Sequence, residues 1–312
     1  MRGEATPAQI AALLISLKTK GETAEEIAGT VAALRAEMTR LPVTSGLAVI
    51  DTCGTGGGVV GTINISTPAA FVAAAAGAPV AKHGNRSFTS RSGSADLFEA
   101  LGVSISLPAE DAAQLLADHG LTFLFAPAYH PAMRHVGPVR KELGVATVMN
   151  LVGPLANPAG VRRQILGVAD RARAPLMAEA LRALGVDHAL VVHADVGMDE
   201  ISPSGHTAVW EITGDEIRTW EIDPDSVNLG SDDLSGLAGG APGENAARIE
   251  RLFEGEGAAV VRNAVLLNAG ASIYVSGRAA SFEEGVEKAR SALEGGRASE
   301  LLARLRRAAP HR

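Results

Sequence analysis

The chain has 312 residues, with 28 Lys or Arg against 35 Asp or Glu, and its formal net charge at pH 7 is −7. This acidic balance argues against a nucleic-acid-binding protein, which normally presents a basic surface, and confines any polyanion site to a small cationic pocket. Because 46% of the residues are hydrophobic and 20% are charged, the composition excludes intrinsic disorder as the main state.

The cysteine content and the length of the apolar runs indicate the cellular compartment of the protein. One cysteine, Cys53, is present, which excludes a disulfide framework or a multi-cysteine zinc site and favours a reducing compartment. The polar N-terminus lacks the apolar core of a signal peptide. The apolar stretch 69–81 is broken by Gly77 and Pro79, short of the ~20 residues that a membrane-spanning helix needs. These features predict a cytoplasmic protein with no membrane partner.

Two amphipathic helices are predicted at the front of the chain. The first is capped by Thr6 and stopped by Gly21; the second opens at Thr23, forms a capping box with Glu26 and ends at Pro42. Their apolar stripes are Ile10, Leu13, Leu14 and Leu17, then Ile27, Val31, Leu34 and Met38. Two such helices cannot form a sufficient core, so we expect them to pack on later helices or on a partner chain.

From residue 44 the pattern alternates between short strands and helices. The predicted strands are 48–50, 80–81, 121–125, 145–149, 165–168 and 189–193. The predicted helices between them are 69–76, 94–101, 130–143 and 175–184. This alternation predicts an α/β fold around a mostly parallel sheet.

The remainder of the chain differs. Segments 206–212 and 217–222 flank Gly214 and Asp215 and predict a β-hairpin. A loop rich in Asp, Gly and Ser follows at 223–243. Four helices then complete the chain, at 245–253, 258–275, 282–293 and 299–307. The second is apolar nearly all round, so we expect it to be buried.

A glycine-rich loop at 54–58 is the strongest local signal. Glycines between a strand and a helix let backbone N–H groups converge on an anion. A tight turn is the simpler alternative, but it rarely needs four glycines in five residues. A G-x-G-x-x-G match runs from Gly56 to Gly61, yet a dinucleotide site wants an acidic residue about 20 positions on, where Lys82 and His83 stand. We therefore predict a phosphate loop.

Two further segments extend this prediction. Ser66 or Thr67 is expected to cap the following helix, whose N-terminus suits a phosphate. Segment 82–86 places cations, an imidazole and an amide after a buried strand, and hydroxyl side chains follow at Ser87, Thr89, Ser90, Ser92 and Ser94. A solvated charge run is the usual interpretation of such a cluster. Its position after a strand favours a polyphosphate cradle.

The acidic pair Asp199 and Glu200 supplies the oxygen ligands that Mg²⁺ prefers, although most such pairs are only solvated. Polyphosphate chemistry usually needs a divalent cation, which strengthens the prediction. The basic segment 130–142 is a binding surface or an exposed helix face. Cys53 is expected to be a packed thiol, and His193 to be structural.

Several motifs occur together and in order: Gly54-Thr55-Gly56-Gly57, Asn64-Ile65-Ser66-Thr67, Lys82-His83-Gly84-Asn85-Arg86, Gly93-Ser94-Ala95-Asp96, His130-Pro131-Ala132-Met133, the run from Asn150 to Pro158, and Asp199-Glu200-Ile201-Ser202. The set resembles the anthranilate phosphoribosyltransferase family over about residues 4–300. The resemblance implies a nucleoside phosphorylase-like fold, with a small all-helical domain and a large α/β domain whose mostly parallel sheet is flanked by helices. It assigns 1–43 and the hinge segment 129–155 to the small domain, and 44–128 and 156–312 to the large one. It also implies a homodimer formed through the small domain.

The resemblance implies a reaction and its site. The family transfers 5-phosphoribose from 5-phosphoribosyl 1-pyrophosphate (PRPP) to the amino group of anthranilate, and uses Mg²⁺. The implied PRPP-binding residues are Gly54, Gly57, Gly58, Thr62, Asn64, Ile65, Ser66, Thr67, Lys82, His83, Gly84, Asn85, Arg86, Ser90 and Ser94. The implied anthranilate-binding residues are Gly54, Asn85 and Arg140, and the implied metal ligands are Ser66, Asp199 and Glu200. His83 would lie near the acceptor, and no residue is assigned as acid or base. Gly58-Val59 stand where the family usually carries Asp-Gly, which removes one carboxylate near PRPP.

Three functions stay open at this stage. The first is the family's transferase reaction, which demands no strong base because an aromatic amine is already a neutral nucleophile. The second is a related phosphoribosyltransferase acting on another aromatic amine, or a nucleoside phosphorylase. The third is a non-catalytic homologue that binds nucleotides or nucleic acid.

Overall fold

The structure, a computed structural model, describes residues 1–56, 58, 60–87 and 91–308. It begins with helices α1 (Pro7–Lys20) and α2 (Ala24–Ala36). The predicted cap at Thr6 and the predicted capping box of Thr23 with Glu26 both form, and Thr6 also forms a capping box with Gln9. Helix α2 ends before Pro42, because the N–H groups of Thr39 and Leu41 bond the carbonyls of Tyr129 and Pro158 instead of the preceding turn.

A seven-stranded sheet forms the centre, in the order β3-β2-β1-β4-β5-β6-β7. Its strands are β1 (Ile50–Gly54), β2 (Val80–Gly84), β3 (Leu121–Phe125), β4 (Arg163–Gly167), β5 (His188–Ala194), β6 (Thr207–Thr213) and β7 (Glu216–Ile222). Strands β1 to β5 are parallel, whereas β6 and β7 are antiparallel. The mostly parallel sheet and the hairpin at Gly214 are both confirmed.

Helices cover the sheet. They are α3 (Ser66–Ala75), α4 (Ser94–Ala100), α5 (Ala109–His119), α6 (Ala126–Tyr129), α7 (Met133–Leu143), α8 (Met149–Val152), α9 (Ala174–Ala183), α10 (Pro242–Phe253), α11 (Ala259–Val275), α12 (Phe282–Glu294) and α13 (Arg297–Ala308). As predicted, α11 is buried nearly all round. Helix α5 was not predicted, and short 3₁₀ turns occur in the predicted loop 223–243.

The following local predictions were wrong. Segment 145–149 is not a strand: Val145 is exposed, Asn150 accepts the Thr147 N–H through its side chain, and Met149 begins α8. Neither Ser66 nor Thr67 caps α3, since Ser66 is its first residue and the N-cap position is Ile65, whose side chain makes no capping hydrogen bond. Strand β1 begins at Ile50 and continues through Gly54, and β2 continues beyond residue 81 to Gly84. The site segments are therefore partly strand instead of loop.

The front helices find their packing partners within the chain. Leu14 of α1 and Val31 of α2 share a buried cluster with Val136 of α7, Leu151 of α8 and Met177 of α9. A second, larger cluster joins α3, α4 and α10 to α13 to the sheet. Among the described residues, no helix is both long and apolar enough to cross a bilayer.

Candidate active site

The loop that carries the acidic pair lies against the end of β1. The Gly56 N–H donates to Asp199 Oδ2 at 2.8 Å. A Cβ atom at Gly54 would lie 2.5 Å from the same oxygen, and one at Gly167 would overlap the carbonyl oxygen of Asp199. Residue 58 is also close, since a Cβ there would lie 3.3 Å from Asp199 Oδ1. Because these positions lack side chains, the Asp199 carboxylate can lie against the loop that the sequence analysis predicted to bind a phosphate.

Glu200 joins this loop to the start of α3. Its Oε1 accepts the Ser66 N–H at 3.2 Å, and its Oε2 accepts the Thr62 hydroxyl at 3.2 Å. Burial, reinforced by neighbouring Asp199, raises the pKa of Glu200 to about 8, and burial also raises the pKa of Asp199. Two adjacent desolvated carboxylates are costly unless a cation is close. The pair therefore has the electrostatics of a cation site.

Lys82 lies beneath these residues, with 2% of its surface exposed. Its Nζ donates to the Thr52 carbonyl at 2.6 Å and to Ser66 Oγ at 3.1 Å. Burial lowers the pKa of Lys82, and the Asp51 carboxylate opposes this by stabilising the ammonium. Burial likewise raises the pKa of Asp51 to about 6. Lys82 thus contacts protein oxygens, one of them on a predicted metal ligand.

His83 contacts the segment that leads into α7. Its Nε2 lies 3.2 Å from Nε2 of His130, so that one imidazole donates and the other accepts. Burial lowers the pKa of His83 to about 3 and also lowers that of His130. Arg140, on α7, is half-buried, and burial alone lowers its pKa. In the described part of the chain no acidic side chain pairs with Arg140, so it is available to an incoming carboxylate.

The loop after β2 is tied to α4. The guanidinium of Arg86 bonds Asp96 at 3.0 Å and Glu99 at 2.5 Å, and lies over the ring of Phe125. The Asn85 carbonyl accepts the Ala95 N–H at 3.3 Å. Arg86 is therefore engaged by α4 side chains, which restrain this loop.

Asn64 links this loop to the C-terminal helices. Its Nδ2 donates to the Ser92 carbonyl at 2.8 Å, and its Oδ1 accepts from Asn245 of α10 at 3.2 Å. The sequence carried no signal for Asn245, a lone amide in a helix. The sequence analysis assigned no role to Asp51 or Asn157, although Asn157 lies in the motif from Asn150 to Pro158; these two residues bond each other at 2.7 Å beneath the site.

The remaining predicted residues occupy different environments. Ile65 and Thr67 are fully buried, so their side chains belong to the core. Gly84 faces Ser94, whose hydroxyl a Cβ atom at position 84 would overlap. Gly57 and Ser90 lie outside the described residues. Cys53, as expected, is a packed thiol near the Pro154 carbonyl, and burial raises its pKa. His193 bonds the Val168 carbonyl at 2.8 Å.

Two family models match the chain. The model for the helical bundle domain of a glycosyl transferase family matches residues 1–38, and that for the a/b domain matches residues 46–299. By these two matches, the chain is a member of a glycosyl transferase family with a helical bundle domain and an a/b domain.

Individual relatives narrow this class. Anthranilate phosphoribosyltransferase from Rubrobacter xylanophilus is 49% identical over 97% of this chain and 88% of its own length. The crystal structure of the Thermus thermophilus enzyme of that name is 46% identical, with a TM-score of 0.92, over 98% of this chain and 91% of the other. The Saccharomyces cerevisiae enzyme in complex with PRPP and Mg is 31% identical, with a TM-score of 0.88, over 97% and 85%. The chain belongs to the anthranilate phosphoribosyltransferase family.

Proposed function

We propose that the chain transfers 5-phosphoribose from PRPP to the amino group of anthranilate and releases pyrophosphate. One observation carries this function: Asp199 and Glu200, a desolvated acidic pair, are bonded to Gly56 of the glycine loop and to Ser66 of α3. A cation held there would lie beside the loops at the ends of β1 and β2. Relatives named for this reaction, at 46% to 49% identity over nearly the whole chain, support the substrates.

The donor set suits Mg²⁺. Ser66, Asp199 and Glu200 offer hydroxyl and carboxylate oxygens, which hard divalent cations prefer. Among the described residues no three His, Cys, Asp or Glu side chains converge as metal ligands. Mg²⁺ is commonly held through one or two carboxylates together with water and substrate phosphates. When bound, Mg²⁺ neutralises the charge of the departing pyrophosphate.

The protein's own residues act by position and charge. The C1 carbon of the ribose gains positive charge as pyrophosphate leaves, so alignment of the amine and stabilisation of the leaving group are the main tasks. Arg140 binds the anthranilate carboxylate, with Gly54 and Asn85 beside the ring. His83, which its lowered pKa keeps neutral, lies near the acceptor. The family's PRPP contacts at the loops after β1 and β2 complete the site.

Two properties of the whole protein belong to this proposal. Leu13 of α1 is 61% exposed, and a second copy of the chain that covered the small helical domain would bury it. We therefore expect a homodimer formed through this part. The single cysteine favours the reducing environment of the cytoplasm.

A fluorescence assay tests the function. Incubation with PRPP, Mg²⁺ and anthranilate should consume the fluorescence of anthranilate, and omission of Mg²⁺ should prevent this. Asp199→Asn combined with Glu200→Gln should lower turnover and alter the Mg²⁺ dependence. No loss of fluorescence at saturating PRPP and Mg²⁺ would contradict the function. Phosphate-dependent cleavage of a nucleoside would instead support a phosphorylase.

A further inference from the structure

The two strands that carry the candidate site separate as they approach it. Strand β1 pairs with β4, and β2 with β3, over five positions each. By contrast, β1 pairs with β2 only where Ile50 lies opposite Val80. Beyond this point the facing backbone groups of the two strands lie in the protein interior, where an unsatisfied polar group is destabilising.

Side chains replace the missing backbone pairing. The His83 N–H donates to Asp51 Oδ1 at 3.3 Å, and the Ala81 carbonyl accepts from Asn157 Nδ2 at 2.8 Å. On the other strand, the Thr52 carbonyl accepts from Lys82 Nζ at 2.6 Å. The separation of the strands is thus maintained by hydrogen bonds, and each bond fixes a backbone atom within or beside the candidate site.

The replacing side chains also bond each other and the site. Asn157 Nδ2 donates to Asp51 Oδ2 at 2.7 Å, and Asn157 Oδ1 accepts the Ala159 N–H at 2.8 Å. Asp51 and Asn157 are fully buried, and Lys82 is 2% exposed. The negative charge of Asp51 compensates the ammonium of Lys82, which in turn bonds Ser66 Oγ at 3.1 Å. These hydrogen bonds, together with the charge of Asp51, therefore form a network that links the segment after α8 to a proposed metal ligand.

We propose that Asp51 and Asn157 are positioning residues for the binding of PRPP with Mg²⁺. They touch no substrate. They act through Lys82 and His83, which set the position of the Ser66 hydroxyl and of the loop after β2. This inference rests on the proposed function, because it assigns PRPP and Mg²⁺ to the site above the network.

If Asp51 and Asn157 served only the stability of the fold, their substitution would have a different effect on PRPP binding. Glu211 offers the matched control, since it is 2% exposed and bonds four side chains. It pairs with His188 at the amino end of β5, the opposite edge of the sheet from the site. If Asp51 only stabilised the fold, its removal would resemble that of Glu211, with a lower melting temperature and unchanged ligand affinity.

The test measures PRPP binding by calorimetry in the presence of Mg²⁺, below the unfolding transition of each variant. Asp51→Asn and Asn157→Asp should each raise the Kd for PRPP by about tenfold or more. Glu211→Gln should lower the melting temperature and leave the Kd within about twofold. The double variant restores one carboxylate and one amide to the pair, so it should bind PRPP more tightly than either single variant.

Some results would overturn the inference. Folded Asp51→Asn and Asn157→Asp variants with the wild-type Kd would make the network structural, and so would an equal loss of affinity in Glu211→Gln. Asn157→Ser keeps a hydrogen-bond donor on a shorter side chain, and its Kd for PRPP is measured if the other single variants do not fold. Failure of all these variants to fold would also make the network structural. If the wild-type chain itself did not bind PRPP with Mg²⁺, the proposed function would fail, and this inference with it.

Discussion

Gly167, the last residue of β4, faces the backbone of the loop that carries the acidic pair. The absent side chain matters here because a Cβ atom would overlap the Asp199 carbonyl oxygen, which belongs to the backbone and cannot rotate away. The neighbouring carboxylate is the one bonded to Gly56. A single methyl group at position 167 should therefore displace the acidic pair from the glycine loop.

Gly167→Ala should raise the Mg²⁺ concentration for half-maximal activity by about tenfold or more, because the two carboxylates would no longer converge. A Mg²⁺ titration at saturating PRPP and anthranilate measures this. Gly61→Ala is the control, since open space surrounds that position and its backbone is not left-handed. An unchanged Mg²⁺ requirement in Gly167→Ala would contradict the assignment of the acidic pair.

Arg140 is the residue proposed to select the acceptor. Arg140→Ala should raise the KM for anthranilate by about tenfold to a hundredfold, the effect of losing a charge-assisted pair worth about 1.5–3 kcal/mol. The KM for PRPP should stay within about twofold. Steady-state kinetics with each substrate varied in turn measures both, and exposed Lys141→Ala is the neighbouring control. Equal changes in the two KM values would contradict the assignment of Arg140 to the anthranilate carboxylate.

Strand β6 is held by a buried carboxylate that joins elements distant in the chain. Glu211 accepts from His188 of β5 at 2.8 Å and from Tyr274 of α11 at 2.7 Å. It also accepts from Arg218 and Trp220 of β7, each at 2.8 Å. Although burial opposes ionisation, these hydrogen bonds and the Arg218 charge lower the pKa of Glu211 to about 2.

This pKa gives stability a defined pH dependence. Because the pKa in the folded state lies below the ordinary value of 4.5, ionised Glu211 stabilises the fold fully above about pH 4.5 and loses this effect as pH falls through about 2. Glu211→Gln should thus lower the free energy of unfolding at neutral pH by about 3 kcal/mol, and by progressively less in acid. Denaturant titrations across this pH range test it. A difference between variant and wild type that does not shrink in acid would contradict the role of the charge.

At the scale of the whole molecule, the front helices bury one face against the chain and leave another side open. Leu14 of α1 is 4% exposed within the cluster that includes α7 to α9, whereas adjacent Leu13 is 61% exposed. An exposed leucine on a helix is ordinary when isolated. The dimer implied by the family would cover this one.

Leu13→Glu should therefore dissociate the proposed dimer, because burial of a carboxylate against apolar surface is costly. Sedimentation or light scattering should show a shift of mass toward the monomer at equal protein concentration. Ala117→Glu adds the same charge at an exposed position of α5 and should leave the mass unchanged. A wild-type monomer, or an unchanged Leu13→Glu dimer, would contradict the placement of this interface.

The sequence by itself determined the local elements and the family. The cap at Thr6, the capping box at Thr23, the hairpin at Gly214 and the buried character of α11 depend on residues a few positions apart, so their patterns are visible without the fold. Segment 145–149 shows the limit of such patterns. Its apolar residues suggested a strand, but in the fold Met149 begins α8, and a short apolar run does not specify which state it takes.

Only the tertiary structure decided which polar groups meet. Ser66 and Glu200 are separated by 134 positions, and Asp51 and Asn157 by 106, yet each pair is hydrogen-bonded. The parallel sheet brings Ser66 and Glu200 together because the segments that follow the carboxyl ends of its strands share one edge. The fold also buries the Lys82 side chain. Its ammonium donates to the Thr52 carbonyl, which the separation of β1 and β2 leaves without a backbone partner. Contacts of this kind follow from strand order and burial, which no local pattern of residue types encodes.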